Sequence, residues 1–348
     1  MARAAPPPYR RPVMLLRLRP LLVLLLLAGA LLPGPAGAAP GSGRYTYSSG
    51  QGTLDYLVHV PGRRAPGPRP VVVVLHGGGE TADTAATRSR WNRVGDAFGA
   101  LVVYPEQNPD HDEGRAWDWA GSAAEGRTGR EPALIAGVTR TAVARWGGDP
   151  RRVYVVGMSA GAGMAGVMAV LYPDLYTAVG LYAGCPFDFV TCAGSSTDAD
   201  TSAAAAVRAM GSYARIVPVF NAYGGADPIA RGTRADLVVP SWLAVADRLD
   251  DGTDDGSMSR SAASSRTETP LPPEHPYQVS TFVDRSGCPI AEDWLVHGMA
   301  HAWPHGSPGN GQPVDPVSDP YAPDVPTATY LFFQQHQMPA QPRRSTCR

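Results

Sequence analysis

The sequence predicts an α/β fold, with a mostly parallel central sheet flanked by helices in a single domain. Three observations predict it. Val71 to Leu75, Leu101 to Tyr104 and Val153 to Val156 are short, unbroken apolar runs of the kind found in strands buried on both faces. Stretches with helical apolar spacing alternate with these runs, which implies right-handed crossovers and parallel pairing. The chain has 348 residues, 44% of them hydrophobic, which is ample for one large core, and it shows neither an internal repeat nor a linker to a second folded module.

Residues 1 to 38 stand apart from that domain. Arg3, Arg10, Arg11, Arg17 and Arg19 form a basic start, Leu21 to Leu32 an apolar stretch, and Ala36-Gly37-Ala38 a small-residue cleavage site, the pattern of a secretory signal peptide. The apolar stretch is shorter than the ~20 residues that span a bilayer. Residues 39 to 348 are therefore expected to be exported as one domain. Removing the leader takes away five arginines and no acid, so 30 basic against 31 acidic residues becomes 25 against 31. An acidic mature chain argues against nucleic acid or an anionic membrane as partner. In an oxidising compartment the four cysteines suggest two disulfides, Cys185 with Cys192 and Cys288 with Cys347; free buried thiols are the alternative.

Taken in order, residues 39 to 50 read as a leader into a first strand, Leu54 to Val60, ended by Pro61-Gly62. Val71 to Leu75 is the next strand and runs into His76-Gly77-Gly78-Gly79. Trp91 to Phe98 has helical spacing, Leu101 to Tyr104 is a buried strand, and Ala116-Trp117-Asp118-Trp119 reads as a loop. Its indoles either line a ligand groove or cap the core from outside. Glu131 to Trp146 is a helix ended by Gly147-Gly148-Asp149-Pro150, and the strand from Val153 passes into a helix marked by Met164, Val167, Met168 and Leu171. Ala178 to Tyr182 is a strand, Ala203 to Met210 a helix, Val217 to Tyr223 a strand and Pro240 to Leu249 a helix. Residues 250 to 275 are polar and low in complexity and read as a flexible surface insertion. Gln278 to Val283 and Trp294 to His297 are the last strands, and Ala328 to His336 is a closing helix.

Chemistry concentrates where the strand from Val153 meets its helix. Gly157-Met158-Ser159-Ala160-Gly161 fits the G-x-S-x-G elbow, in which a strained turn exposes a serine at a helix N-terminus. The motif alone arises easily in a chain with 39 glycines; the strand before it and the helix after it give it meaning. The N–H of Ala160 would face a developing oxyanion, and the glycine loop after Leu75 can bring up a second backbone donor. A phosphate loop is the alternative there, but Glu80 and Thr81 follow where Lys and Ser/Thr would be needed. Serine needs a base and an orienting acid. His301 lies just past the last strand among small residues, and Asp227 follows a strand and Gly224-Gly225, giving the order Ser159, Asp227, His301 found in this class of hydrolase. Asp174, Asp236 and Asp247 compete for the acid's place.

Three patterns mislead. Gly161-Ala-Gly163-Met-Ala-Gly166 fits a dinucleotide fingerprint but starts inside the helix. His297, His301 and His305 have zinc-helix spacing, but Gly298 and Pro304 break such a helix. The Asp250 to Asp255 cluster lacks the terminal Glu of a calcium loop. No metal, nucleotide or other cofactor is expected.

With these residues in place the chain resembles the poly(3-hydroxybutyrate) depolymerase-type esterases, a branch of the α/β-hydrolase fold that includes feruloyl and acetylxylan esterases. The markers are Val74-Leu75-His76-Gly77, Val103-Tyr104-Pro105-Glu106-Gln107, Trp117-x-Trp119, Asp149-Pro150-x-Arg152-Val153-Tyr154-Val155-x-Gly157-x-Ser159-Ala160-Gly161, Gly225-Ala226-Asp227-Pro228 and Gly298-Met299-Ala300-His301-Ala302-Trp303-Pro304. The resemblance implies that Ser159 is the nucleophile, Asp227 the orienting acid, His301 the base, and Ala160 and Gly78 the backbone oxyanion donors. It places Trp117 and Trp119, with Trp303, beside the substrate groove. The chain departs from the family at two positions where cysteine is usual, Gly78 after His-Gly and Ala116 before the tryptophan pair, which leaves the acyl-group preference open. The implied activity is a secreted serine esterase acting on hydroxybutyrate-type polyester or its oligomers, or on feruloyl or acetyl esters of plant cell-wall polysaccharide. A catalytically inactive homologue that binds a surface is a further alternative, disfavoured by the intact serine, acid and histidine.

Overall fold

The computed structural model describes residues 1–2, 41–62, 67–187, 198–305, 315–339 and 346–347. The leader's apolar stretch and Cys192 lie outside the described residues. The described chain opens on a hairpin, β1 (Gly43–Ser49) and β2 (Gly52–His59), joined at a glycine with φ +117°. Residues 39 to 50 are thus corrected from a leader to a strand over most of their length. Tyr45 packs edge-on against Trp146 with ring centroids 5.0 Å apart, so alternate residues of a polar strand face the core.

Next come β3 (Arg69–Leu75), α1 (Ala82–Arg88), α2 (Trp91–Phe98) and β4 (Leu101–Pro105). The helix α1 was not expected from periodicity; Thr81 and Thr84 cap it reciprocally. Beyond β4 lie α3 (Trp119–Glu125), α4 (Arg130–Trp146), β5 (Gly148–Met158), α5 (Ala160–Leu171) and β6 (Ala178–Tyr182). The loop expected at Trp119 is the first turn of α3, where the Asp118 side chain accepts the Gly121 N–H at 2.9 Å. The chain continues through α6 (Ala199–Met210), β7 (Val219–Gly224), α7 (Pro228–Gly232), α8 (Val238–Asp250), β8 (Ser264–Glu268), β9 (Tyr277–Val283), β10 (Pro289–Val296), β11 (Trp303–Pro304), β12 (Ser318–Asp319) and α9 (Val325–Gln334).

Among the described residues the main sheet has ten strands in the order β1-β2-β4-β3-β5-β6-β7-β10-β9-β8. From β4 to β10 all neighbours pair in parallel, and antiparallel strands extend both edges. This is the mostly parallel α/β-hydrolase architecture. Helices cover both faces. Val71, Val73 and Leu75 face a core shared with α4, α5, α6 and α8, whereas Val72 and Val74 face one shared with Trp91, Val94 and Phe333. Each such fully buried side chain stabilises the fold by ~1.5–3 kcal/mol.

The segment 250 to 275, expected as a flexible surface insertion, lies almost wholly at the surface and has anchored points. Asp247 at the end of α8 accepts the N–H groups of Gly256 at 3.0 Å and Met258 at 2.8 Å, and Met258 is buried. Ser264–Glu268 then pairs with β9 as an edge strand. Cys288 and Cys347 form a disulfide with Cα atoms 5.9 Å apart, tying the C-terminal segment to the start of β10. Cys185 is disulfide-bonded as well. Among the described residues no helix is long and apolar enough to cross a membrane.

Candidate active site

The parallel strands β3, β5 and β7, together with β10, all end on one edge of the sheet, and the loops there meet. Ser159 sits between β5 and α5 at φ 57°, ψ −124°, a left-handed conformation that a serine adopts only under constraint. Packing supplies the constraint. A Cβ on Gly157 would lie 2.1 Å from the Gly161 carbonyl oxygen, and one on Gly161 would lie 2.2 Å from that of Leu75. Only glycine lets the strand, the turn and the neighbouring β3 approach so closely. The Ser159 N–H is held by Tyr182 O at 2.9 Å, and the side chain remains half-exposed.

His301 Nε2 lies 2.8 Å from Ser159 Oγ, and His301 Nδ1 lies 2.7 Å from Asp227 Oδ2. A carboxylate only accepts, so Nδ1 carries the proton and Nε2 is free to accept from the serine hydroxyl. Asp227 is fully buried. Its Oδ1 accepts the N–H groups of Ile229 at 2.8 Å and Ala230 at 2.9 Å, at the start of α7. Burial works to raise the carboxyl, but the bond to His301 and these N–H groups outweigh it and hold Asp227 below the usual carboxylate range. Asp227 is thus ionised near neutral pH.

The loops that carry Asp227 and His301 interlock through their backbones. Gly225 N–H donates to Val296 O at 2.8 Å and Ala226 N–H to Met299 O at 3.1 Å, and a Cβ on Gly224 would lie 2.1 Å from Met299 O. The competing acids have other work. Asp174 pairs with Arg127, Asp236 with Arg234, and Asp247 secures the loop after α8.

The Gly77-Gly78-Gly79 loop runs beside the elbow: a Cβ on Gly77 would lie 3.5 Å from Met158 O, and one on Gly161 2.4 Å from His76 O. A β-turn closes it, with Glu80 N–H donating to Gly77 O at 3.2 Å and Gly79 at φ +75°. At the helix end, Ala160 begins α5, so its N–H has no acceptor one turn back within the helix. His76 stands behind the loop, fully buried. Its Nε2 accepts the Gln107 N–H at 3.0 Å, which leaves Nδ1–H to donate to Gly77 O at 2.8 Å, and burial depresses its basicity.

Two of the three indoles expected in the groove are not surface groups. Trp117 is 2% exposed, its Nε1 donating to His76 O at 3.1 Å, and Trp303 is fully buried with its Nε1 on Glu80. Both therefore support loops from inside, because a buried indole N–H needs a protein acceptor. Trp119 remains half-exposed beside the first turn of α5, where a Cβ on Gly163 would meet it at 2.8 Å.

The two positions that depart from the resembled family meet each other. A Cβ on Gly78 would find as its near neighbour the Ala116 Cβ, 3.7 Å away. That distance falls within the range of Cβ separations across a disulfide. Sequence reasoning also missed Glu80, Arg88, Glu131 and Gln107, whose polar contacts brace these loops. The local signals were an acid placed directly after the glycine loop and the place of Gln107 at the end of the Val103-Tyr104-Pro105-Glu106-Gln107 marker.

A family model described as esterase PHB depolymerase matches residues 54–253. Poly(3-hydroxyalkanoate) depolymerase C of Paucimonas lemoignei is 29% identical over 296 residues, 83% of this chain and 68% of that protein. The probable acetylxylan esterase A of Aspergillus fumigatus is 34% identical over 140 residues, 40% of this chain and 36% of its own length. Among solved structures, the acetyl xylan esterase from Aspergillus awamori superposes with a TM-score of 0.56 at 23% identity, covering 74% of this chain and 94% of that one. The last likeness is one of fold. The chain thus spans about two thirds of the depolymerase and about a third of the fungal esterase with which it aligns.

Proposed function

Because the chain belongs to the esterase PHB depolymerase family of carboxylic ester hydrolases, we propose that Ser159, His301 and Asp227 hydrolyse esters through an acyl-enzyme. The carrying observation is the continuous chain of bonds, 2.8 Å from Ser159 to His301 and 2.7 Å from His301 to a buried, ionised Asp227. Ser159 Oγ attacks the ester carbonyl carbon while its proton passes to His301 Nε2. Negative charge develops on the carbonyl oxygen, and the N–H groups of Ala160 and Gly78 are assigned to stabilise it. Collapse of the intermediate breaks the bond to the alkoxy oxygen, which leaves as the alcohol with the proton from His301. Water, deprotonated by the same histidine, then releases the carboxylic acid and restores Ser159.

The substrate reading favours hydroxyalkanoate polyester or its oligomers, on the strength of the similarity that extends over most of this chain. Acetyl or feruloyl esters of cell-wall polysaccharide are the second reading, supported by shorter matches to an acetylxylan esterase at 34% identity and a feruloyl esterase at 26%. The basic and apolar start of the chain supports export, and the proposed partner is the ester substrate, with neither nucleic acid nor membrane. Ser159→Ala should lower turnover of a short-chain aryl ester by ~10⁴-fold or more while the circular dichroism spectrum stays that of the parent. Retained turnover would refute the reading. Assays of the mature protein on hydroxybutyrate oligomers, methyl ferulate and acetylated xylan in parallel rank the substrates.

A further inference from the structure

Two loops supply the proposed machinery from different ends of the chain: the glycine loop after β3 and the histidine loop after β10. One buried side chain joins them. Glu80 is 4% exposed. Its Oε2 accepts the Gly77 N–H at 2.8 Å and the Trp303 Nε1–H at 3.0 Å. Its Oε1 accepts from Arg88 Nη1 at 2.9 Å, with the same indole nitrogen 3.2 Å away. Arg88 Nε continues the chain to Asp315 Oδ2 at 2.6 Å. Gly77 precedes the oxyanion donor Gly78, and Trp303 follows the base His301 by two residues.

The geometry points to Glu80 as a positioning residue that holds the oxyanion loop and the base loop in register for the reaction proposed above, and the inference rests on that reading. A carboxylate is suited to the place because it offers only acceptors, on two oxygens, to donors converging from three directions. These bonds are charge-assisted and lie in a low-dielectric interior, where they are strong and directional. Glutamine would keep one acceptor oxygen and turn an NH₂ group toward another donor. The same residue also closes the loop through its backbone, since its N–H donates to Gly77 O. Side chain and main chain of Glu80 therefore fix one β-turn, and the indole bond transmits that position to the segment carrying His301. A misplacement of about 1 Å in such a constellation costs on the order of 10²-fold in rate.

A purely structural role would lower thermal stability and the fraction of competent molecules, yet leave each competent molecule as fast as before. The test therefore counts active sites by complete labelling with a serine-directed phosphonate. It then measures kcat and KM on an aryl acetate, and the affinity of an alkyl boronic acid that forms a tetrahedral adduct, for Glu80→Gln and Trp303→Phe, with turnover of Ser159→Ala measured alongside per mole of protein. For Glu80→Gln we expect kcat per labelled site to fall ~10–100-fold with KM within ~3-fold, and boronate affinity to fall in parallel with kcat. Trp303→Phe keeps an aromatic group but removes the donor and some buried volume, and should lower kcat per labelled site ~3–10-fold. Should Glu80→Gln fail to fold, Trp303→Phe decides. A kcat per labelled site within twofold of the parent, whatever the change in melting temperature, would overturn the role of Glu80. Turnover retained by Ser159→Ala would instead overturn the esterase reading itself.

Discussion

Two glycine-built walls face each other at Ser159, and they differ in what occupies the space a side chain would take. At the elbow the space is filled by backbone: Gly157 and Gly161 stand against carbonyl oxygens at 2.1 and 2.2 Å from where a Cβ would sit. In the glycine loop after β3 it is open at the tip, for Gly78 has a methyl group 3.7 Å away and Gly79 nothing within 4 Å, and only Gly77 is closely approached, by the side chain of Glu80 at 3.2 Å. The elbow wall is therefore determined by packing and the loop wall by tethers. Glycine has a different meaning in each, close approach in the first and an unfilled site in the second.

Breaking the first wall has the largest effect. Gly161→Ala would push a methyl group into the carbonyl oxygens of Leu75 and His76, which belong to β3 and its loop and cannot swing away. Destabilisation of ~4 kcal/mol or more is expected, as for severe core overpacking. Chemical denaturation of the variant checks it; a loss below ~1 kcal/mol would show that the elbow yields and that the contrast between the walls is false.

The tethers of the second wall can be read through pH. Glu131 accepts from Gln107 Nε2 and from the Asp118 N–H at 3.0 Å, and Gln107 Nε2 also holds Ala116 O at 3.0 Å, so this carboxyl braces the segment opposite Gly78. Burial pushes it up to about 7, against the opposing pull of those two bonds. In the unfolded chain it ionises near the ordinary value of ~4.3. Between these values the folded state holds the extra proton, so stability from this group is full below the unfolded value and is lost as pH rises toward 7. The loss amounts to at most about 4 kcal/mol. In Glu131→Gln that downward slope should vanish from a plot of unfolding free energy against pH. A slope that survives the substitution would assign it to another group.

The same distinction explains what could be read in the sequence. Val71 to Leu75, Leu101 to Tyr104 and Ala178 to Tyr182 are visible because strands covered on both faces must be apolar throughout. The edge strand Ser264–Glu268 is exposed at every position and leaves no periodicity to detect. The seven-residue helices α1 and α3 rest on the side-chain caps of Thr81 and Asp118 rather than on an apolar stripe. Ser159, Asp227 and His301, which the structure brings within hydrogen-bond reach of one another, are marked locally by strand ends, glycine turns and chain order. Glu80 could not, since its indole partner is 223 residues away and no local pattern announces such a contact. Trp117 and Trp303 show the converse: an indole in a polar, small-residue stretch reads as exposed until its N–H is seen to reach a buried acceptor.

Filling the open wall is the mildest test. Gly78 does not have a positive φ, and its added Cβ would make ordinary contact with Ala116. Gly78→Ala should therefore change stability by no more than ~1 kcal/mol, with a gain as admissible as a loss because the unfolded chain loses freedom too. The backbone N–H is retained, so kcat on an acetyl ester should stay within ~3-fold of the parent. The methyl group narrows the space beside the loop, and the ratio of kcat/KM for butyryl over acetyl esters should fall by ~10-fold, the order expected when one methylene is crowded in an apolar site. An unchanged ratio would place the acyl chain away from Gly78. A stability loss approaching that of Gly161→Ala would mean that the two walls are built alike.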